Sequence, residues 1–200
     1  NSWRYICTPA DADSCMAVGA VDTLGAPAGF SSYGPSSDGQ TKPSVAAVGR
    51  SAVVANSGTG LPAYGSGTSF ACPNMAGITT CLWQAFPEVN NMKIIGTLQA
   101  SGNNSNAPNN RTGFGIPDVK KAFVLLQKEL SSVSTLFNQC KADISIHLKT
   151  DNTMQIVVER KLATDSTYDV ITTLSSQENY GSHLFEYHDD LSGTDAGQIS

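Results

Sequence analysis

Apolar residues recur at helical spacing just after a glycine-rich run, and this pattern predicts an amphipathic helix. The repeat comprises Met75, Ile78, Leu82 and Phe86, with Trp83 at its border and Pro87 after it. Ser69 opens this helix, so its hydroxyl is expected beside unpaired amides and the positive end of the helix dipole. Pro73 is expected in the first turn, where a missing N–H costs nothing.

Two further helices are predicted downstream. Residues 91–100 form one, with Met92, Ile95 and Leu98 together on its apolar face. The other follows the turn-rich run 112–118, with Pro117 in its first turn. Its apolar stripe comprises Val119, Ala122, Phe123, Leu126 and Leu130. A loop rich in Asn, Gly and Ser separates the two helices.

Short continuous apolar runs lie upstream, at residues 15–21 and 42–49. Such runs are typical of strands that are covered on both faces, as in a parallel sheet. With the helices, they predict an α/β domain over residues 1–130.

Beyond Leu130 the hydrophobic period changes to two. The alternating stretches lie at residues 144–149, 154–160, 168–174 and 184–188, with a turn at Asp151 and Asn152. They predict a small all-β, sandwich-like domain at residues 136–200, which is incomplete at its end, after a linker at 131–135.

The composition favours a secreted, loop-rich globular protein. Charged residues make up only 14% of the chain and apolar residues 40%. The net charge of −5 argues against a nucleic-acid partner. No apolar run is long enough to cross a bilayer. The chain begins abruptly at Asn1, so we expect its natural N-terminus to lie further upstream.

The five cysteines lack C-x-x-C spacing, which argues against a zinc site or a full disulfide framework. Cys72 and Cys81 are about 13 Å apart along the predicted helix, too far for a disulfide. A Cys7–Cys15 bridge is left open. Otherwise the cysteines are expected to be small buried hydrophobes.

The acidic residues show no calcium-loop pattern. Asp11, Asp13 and Asp22 are not clustered as ligands, so we predict no metal from them. No cofactor is expected for this chain, although parts of the protein outside it could bind calcium.

Ser69 has two interpretations. Ser and Thr are ordinary helix caps, but a serine that attacks a carbonyl also needs a helix N-terminus to stabilise an oxyanion. The string Gly67-Thr68-Ser69-x-Ala71-x-Pro73, followed by Ala76-Gly77, closely resembles the nucleophile motif of subtilisin-like serine proteases, the subtilases. It does not resemble an α/β-hydrolase elbow, which requires Gly at position 71.

Four further segments resemble subtilases in the same order. They are Ala17-Val-Gly-Ala-Val-Asp22, Phe30-Ser-Ser-Tyr-Gly-Pro35, Lys42-Pro-Ser-Val-Ala-Ala-Val-Gly49 and Gly113-Phe-Gly-Ile-Pro-Asp-Val119. The third departs from the family pattern by having Ser44 for an acidic residue and Val48 for a proline. The resemblance implies a subtilisin-like, partial parallel sheet with flanking helices. More weakly, the β-rich end resembles a fibronectin type III-like module of secreted bacterial enzymes.

The resemblance also implies site residues. Ser69 is the expected nucleophile, and its own N–H and Thr68 are expected oxyanion donors. Cys7, Thr8 and Pro9 are expected to line the substrate-binding pocket. The histidines are His147, His183 and His188, all in the β-rich end. The partner Asp and His, and an oxyanion Asn, are therefore expected before residue 1, and Asn1 is not assigned to that role.

One alternative places the base within the chain. His183 or His188 could act with Asp189 or Asp190, but polar residues at a strand edge usually do no more than face water.

The leading hypothesis is a secreted or cell-surface bacterial serine endopeptidase, a hydrolase acting on protein or peptide substrates. The β-rich end could attach it to a cell surface. Since the chain has no base beside Ser69, we expect this piece alone to be inactive. The alternatives are a non-catalytic surface or adhesion protein on a decayed protease fold and, less favoured, an esterase.

Overall fold

The computed structural model describes residues 4–150, 154–161, 165–176 and 180–192. Its contacts divide the chain into two units, Asn1–Leu126 and Gln127–Ser200. In chain order the elements are β1 (Val18–Val21), β2 (Val45–Val48), β3 (Ala52–Ala55), β4 (Pro62–Gly65), α1 (Thr68–Ala85), α2 (Asn91–Ser101), α3 (Val119–Leu130), β5 (Ser132–Asn138), β6 (Lys141–Thr150), β7 (Gln155–Arg160), β8 (Asp169–Ser175) and β9 (Gly181–Asp190). No helix in the described ranges is both long and apolar enough to span a membrane.

The first unit has the mixed helix-and-sheet architecture that the sequence predicts. Strands β1 and β2 pair in parallel, with Val18 opposite Val45 and Val21 opposite Val48. Helix α1 packs on both strands. The core between them is built mainly from small residues, so the helix backbone can approach the sheet closely: Ala20, Ala28, Val45, Ala47, Ala71 and Met75.

The predicted stripe of α1 is confirmed, because Met75, Leu82 and Phe86 are buried and Ile78 packs partly against the core. The position predicted for Pro73 is wrong. The helix already begins at Thr68, so Pro73 lies inside it. A proline there cannot donate to the carbonyl four residues earlier, and that carbonyl belongs to Ser69.

Helix α2 runs close to its predicted bounds but turns a different face inward. Ile94 and Leu98 are buried, whereas Met92 is 46% exposed. Asn90 caps the helix, since its side-chain oxygen accepts a hydrogen bond from the Lys93 amide at 2.9 Å. This cap fixes the start of the helix and so decides which side chains meet the core.

Helix α3 buries Ala122 and Leu126, and the Phe123 ring lies 4.9 Å from the Phe86 ring. Pro117 is not in its first turn, contrary to expectation. It forms an isolated antiparallel bridge with Gly102, and the helix begins two residues later. Asp118 supplies the cap, because its carboxylate accepts from the Lys121 amide at 3.0 Å.

Strands β3 and β4 form an antiparallel hairpin just before α1 that the sequence did not predict. Val53 and Tyr64 are directly opposite each other and are 71% and 80% exposed. The exposed face is therefore apolar. A search for alternating polar and apolar positions misses such a hairpin, because polarity does not distinguish its two faces.

The second unit contains a three-stranded antiparallel sheet in the order β5-β6-β9 and a separate pair, β7-β8. Residues 132–135, expected as part of a linker, lie in β5. Val133, Thr135 and Phe137 have the β-branched and aromatic character that strands favour. The turn expected at Asp151 and Asn152 lies outside the described residues, and the sandwich remains a prediction.

All five cysteines are free thiols. The expectation that they are small buried hydrophobes is wrong for Cys7, Cys72, Cys81 and Cys140, which are exposed. Cys15 is half-buried and is not bridged to Cys7.

Candidate active site

Ser69 is the second residue of α1, and it is exposed. The loop before it is held by the sheet, because the Gly67 amide donates to the Gly49 carbonyl at 2.7 Å. The Gly49 amide in turn donates to the Val21 carbonyl at 2.9 Å. The serine therefore stands at the carboxyl ends of two parallel strands, where open α/β sheets place their ligand sites.

Two side chains that the sequence analysis did not single out also fix this position. The Ser66 hydroxyl accepts a hydrogen bond from the Ser51 amide at 3.0 Å. The Asn74 side-chain amide donates to the Val48 carbonyl at 3.1 Å, which joins α1 to the end of β2. Asn74 directly follows Pro73, the last residue of the nucleophile motif. A polar side chain at this position was the sequence feature from which its role could have been predicted.

Three glycines near the start of α1 differ in how much space a side chain would have. A Cβ on Gly49 would lie 2.7 Å from the Gly67 carbonyl oxygen and 2.8 Å from the Ala20 Cβ. One on Gly65 would lie 2.7 Å from the Phe70 ring. At Gly67, which has an extended backbone, a Cβ would make only ordinary contacts. Close packing inside the chain thus requires glycine at 49, where the neighbour is backbone. A side chain at 65 would require the Phe70 ring to shift, and position 67 is open.

The simple capping role for Thr68 or Ser69 does not fit the structure. Gly67 is the N-cap residue, without a side-chain cap, and Thr68 and Ser69 already have helical geometry. Amides in the first turn of a helix have no carbonyl four residues earlier to bind. An anion at this end of α1 is therefore favoured by amide donors and by the helix dipole.

A cavity of about 210 Å³ lies beside the start of α1. Thr68 lines one side and Cys7 another, with Ile6, Ala17 and Phe30 among the apolar residues. The described residues around it include no Asp, Glu, Lys or Arg. Thr8 and Pro9 are not among those lining residues. Instead, the Thr8 hydroxyl donates to Asp11 at 3.5 Å and the Pro9 carbonyl accepts from Cys15.

The three histidines lie in the second unit. His188 Nδ1 is 2.7 Å from Asp143 Oδ1, so its partner is neither Asp189 nor Asp190. This contradicts the pairing of His188 with Asp189 or Asp190 that was considered from the sequence.

Both of those aspartates have other partners. Arg160 Nη1 lies 3.0 and 2.9 Å from the two carboxylate oxygens of Asp189. The Ser192 amide donates to Asp190 at 3.0 Å and holds the pKa of that carboxyl below its usual value.

Within the ranges that the structure describes, no group of three His, Cys, Asp or Glu side chains is arranged to hold a metal ion. Asp22 accepts from the Leu24 and Ala26 amides, each at 2.9 Å. Asp13 accepts from the Gln40 side-chain amide. These carboxylates therefore order loops.

The parallel strand pair, the helix on it and the exposed serine at its start together define a subtilisin-like α/β domain. A family model described as the subtilase family, Peptidase_S8, matches residues 2–115. This match covers more than half of the chain, which therefore belongs to the subtilase family.

Solved structures of proteases show the same fold. MycP1 from Mycobacterium smegmatis is 26% identical with a TM-score of 0.50, over 59% of this chain and 32% of that one. The prenylagaramide maturation protease PagA is 26% identical with a TM-score of 0.50, over 58% and 44%. A mutant of the protease domain of PatA is 29% identical with a TM-score of 0.50, over 61% and 43%. This chain thus spans less than half the length of these proteins.

Proposed function

We propose that this chain carries the nucleophile part of a serine endopeptidase that hydrolyses peptide bonds in proteins. The Ser69 hydroxyl oxygen attacks the peptide carbonyl carbon while a base takes its proton. The amine leaves with a proton, an acyl-enzyme remains on Ser69, and water then releases the acid.

The observation that carries this proposal is the placement of Ser69. Its side chain is exposed in the first turn of α1, directly after a loop that is fixed to the ends of β1 and β2. There the Ser69 amide, with the Thr68 hydroxyl as a second donor, can receive the negative charge that develops on the carbonyl oxygen.

The substrate side chain before the cleaved bond is assigned to the cavity that Thr68 shares with Cys7. Cys7, Thr8 and Pro9 belong to one loop, and we assign this loop to one wall of the substrate site. Because only neutral residues line the cavity in the described part of the chain, an uncharged side chain suits it best.

The base and the aspartate that orients it are assigned to a part of the protein outside these residues. The three histidines lie in the β-rich second unit, where polar residues at a strand edge usually face water, and His188 is paired with Asp143. We extend the proposal to a protein that is secreted or held at a cell surface, which the low charged fraction of 14% supports. The chain by itself is then inactive, since an unassisted serine hydroxyl is a weak nucleophile at neutral pH.

The test uses the complete reading frame and a serine-directed phosphonate probe. We expect labelling at Ser69, no labelling of Ser69→Ala, and a loss of at least about a thousandfold in peptide hydrolysis by that variant. Ser57→Ala, at an exposed position in the hairpin loop, is the matched control. This variant should keep both the labelling at Ser69 and the rate of peptide hydrolysis. Labelling that survives Ser69→Ala contradicts the assignment. A complete protein that is never labelled favours the non-catalytic surface protein instead.

The isolated chain gives a second check. Purified alone, it should not cleave casein. Casein cleavage that is lost in Ser69→Ala would show that a base lies within these 200 residues.

A further inference from the structure

A buried lysine lies outside the residues assigned to catalysis. Lys42 is only 3% exposed, and its ammonium donates to the Ala12 carbonyl at 2.8 Å and to the Cys15 carbonyl at 3.3 Å. Burying an ammonium group is costly unless strong hydrogen bonds replace its hydration. Both acceptors are neutral carbonyls of one loop, so hydrogen bonds to that loop replace part of the hydration that the ammonium loses.

The loop at residues 7–15 lies outside helix and strand and is ordered by bonds of its own. The Ala10 amide donates to the Cys7 carbonyl at 3.0 Å and the Ala12 amide to the Pro9 carbonyl at 3.3 Å. The Cys15 sulfur lies within hydrogen-bonding distance of three loop carbonyl oxygens, those of Ala12 at 3.3 Å, Pro9 at 3.4 Å and Ala10 at 3.8 Å. Its single S–H donates to one of them at a time. The Ala12 carbonyl oxygen is thus within hydrogen-bonding distance of both the Cys15 thiol and the Lys42 ammonium.

The backbone at Lys42 and just after it is fixed by hydrogen bonds. Its carbonyl accepts from the Gly34 amide at 2.8 Å. Two residues later, the Ser44 amide donates to the Ala17 carbonyl at 2.8 Å and the Ser44 hydroxyl accepts from the Ala17 amide at 3.1 Å. The base of the lysine side chain is therefore fixed to the start of β1 and β2, and its tip reaches the loop.

The loop acids have other partners. Asp11 accepts from Thr8, and Asp13 accepts from Gln40, which also donates to Asp38 at 2.6 Å. The ammonium thus contacts the backbone of the loop and not its carboxylates.

We infer that Lys42 is a positioning residue: its ammonium is a tethered internal cation that holds the loop 7–15 and thereby sets the cavity wall formed by Cys7 and Ala10 beside Thr68. The anchoring stands on the contacts above. Its consequence for substrate binding rests on the proposed function.

The anchoring is tested through Cys15, in a chain whose four exposed cysteines are changed to serine. Lys42→Met should raise the rate of Cys15 alkylation by iodoacetamide at least about tenfold, because the loop opens locally. Lys42→Arg, which keeps the charge and the hydrogen-bond donors, should raise the rate clearly less than Lys42→Met does. Lys120→Met, at an exposed lysine of α3, is the matched control and should leave the rate unchanged. Equal rates in Lys42→Met and the parent overturn the inference.

A second measurement needs no substitution at Lys42, so it does not depend on whether Lys42→Met folds. The parent chain is acetylated while folded. Lys42 should react at least about tenfold more slowly than Lys120, and molecules acetylated at Lys42 should show the fast Cys15 alkylation. Lys42 reacting as fast as Lys120, or acetylation that leaves Cys15 protected, overturns the inference.

The consequence for substrate is tested in the complete protein. Lys42→Met should raise the peptide KM about tenfold with little change in kcat, since the pocket wall moves while the serine stays in place. An unchanged KM rejects the link to the cavity. A parent protein without peptidase activity rejects the proposed function and leaves the alkylation result standing.

Discussion

At the scale of single residues, the serine is placed by backbone contacts that tolerate no extra atom. Gly49 lies between the Gly67 carbonyl and the Ala20 methyl group, where a Cβ would approach both to less than 3 Å. Both neighbours belong to the core or to the loop before α1, so neither can move without disturbing the site.

Gly49→Ala is therefore expected to destabilise the first unit by about 1–3 kcal/mol, the usual cost of overpacking. Gly77→Ala is the matched control. Gly77 lies exposed within α1 and a Cβ there meets nothing within 4 Å, so the change should stabilise the helix by about 0.5–1 kcal/mol. Urea unfolding followed by tryptophan fluorescence measures both. Equal effects of the two substitutions would refute the close packing at Gly49.

At the scale of secondary structure, a single amide oxygen fixes the start of α2. The Asn90 side chain accepts from the Lys93 amide, and Ile94 is buried directly after it. Asn90→Ala should cost about 1 kcal/mol of stability, whereas Asn90→Asp keeps the acceptor and should cost much less. Asn91→Ala, one residue into the helix, is the control. Urea unfolding measures the free energy of unfolding of each variant. If Asn90→Ala lowers it no more than Asn91→Ala does, Asn90 has no capping role.

The helices could be predicted from the sequence because apolar spacing records which face meets the core. The stripe Met75, Leu82 and Phe86 is an example. The spacing does not record where a helix begins. Pro73 fits a first turn by its own geometry, but Gly67 caps the helix earlier because its amide is bound by Gly49. This bond joins residues 18 positions apart, which local patterns cannot reveal.

The serine itself could be predicted because its motif is local and continuous. The cavity and the buried Lys42 could not, because their partners come together only through the parallel pairing of β1 with β2. Cys7 and Thr68 are far apart in the chain and meet at one cavity. Lys42 contacts carbonyls, which every residue has and which no sequence pattern marks.

At the scale of the whole molecule, the two units are built differently. The first has a continuous core of alanine, valine and methionine, whereas every residue of β5 is exposed. In the second unit, Arg160 of β7 and Asp189 of β9 join the two sheets through an ion pair in which one guanidinium nitrogen contacts both carboxylate oxygens. Its side chains are 27% and 11% exposed, so water screens it only in part.

Arg160→Met should destabilise the second unit by about 1.5–3 kcal/mol, since Asp189 loses a charged hydrogen-bond partner. Trp83 lies in the first unit, and no tryptophan of the sequence falls within residues 127–200, so tryptophan fluorescence does not come from the second unit. We expect the far-UV circular dichroism transition to move to lower urea while the fluorescence transition stays in place. Arg50→Met, at an exposed arginine of the first unit, is the control. A fluorescence transition that moves together with the dichroism would mean that the two units unfold as one.

Because Pro73 has no backbone N–H, α1 lacks one of its backbone hydrogen bonds, immediately after the turn that carries Ser69. Bending costs least where a helix lacks such a bond. The opening turn is therefore held by contacts outside the helix, the Gly67–Gly49 hydrogen bond and the buried Ala71. The reactive oxygen thus owes its position to the ends of the parallel strands as much as to the helix that carries it.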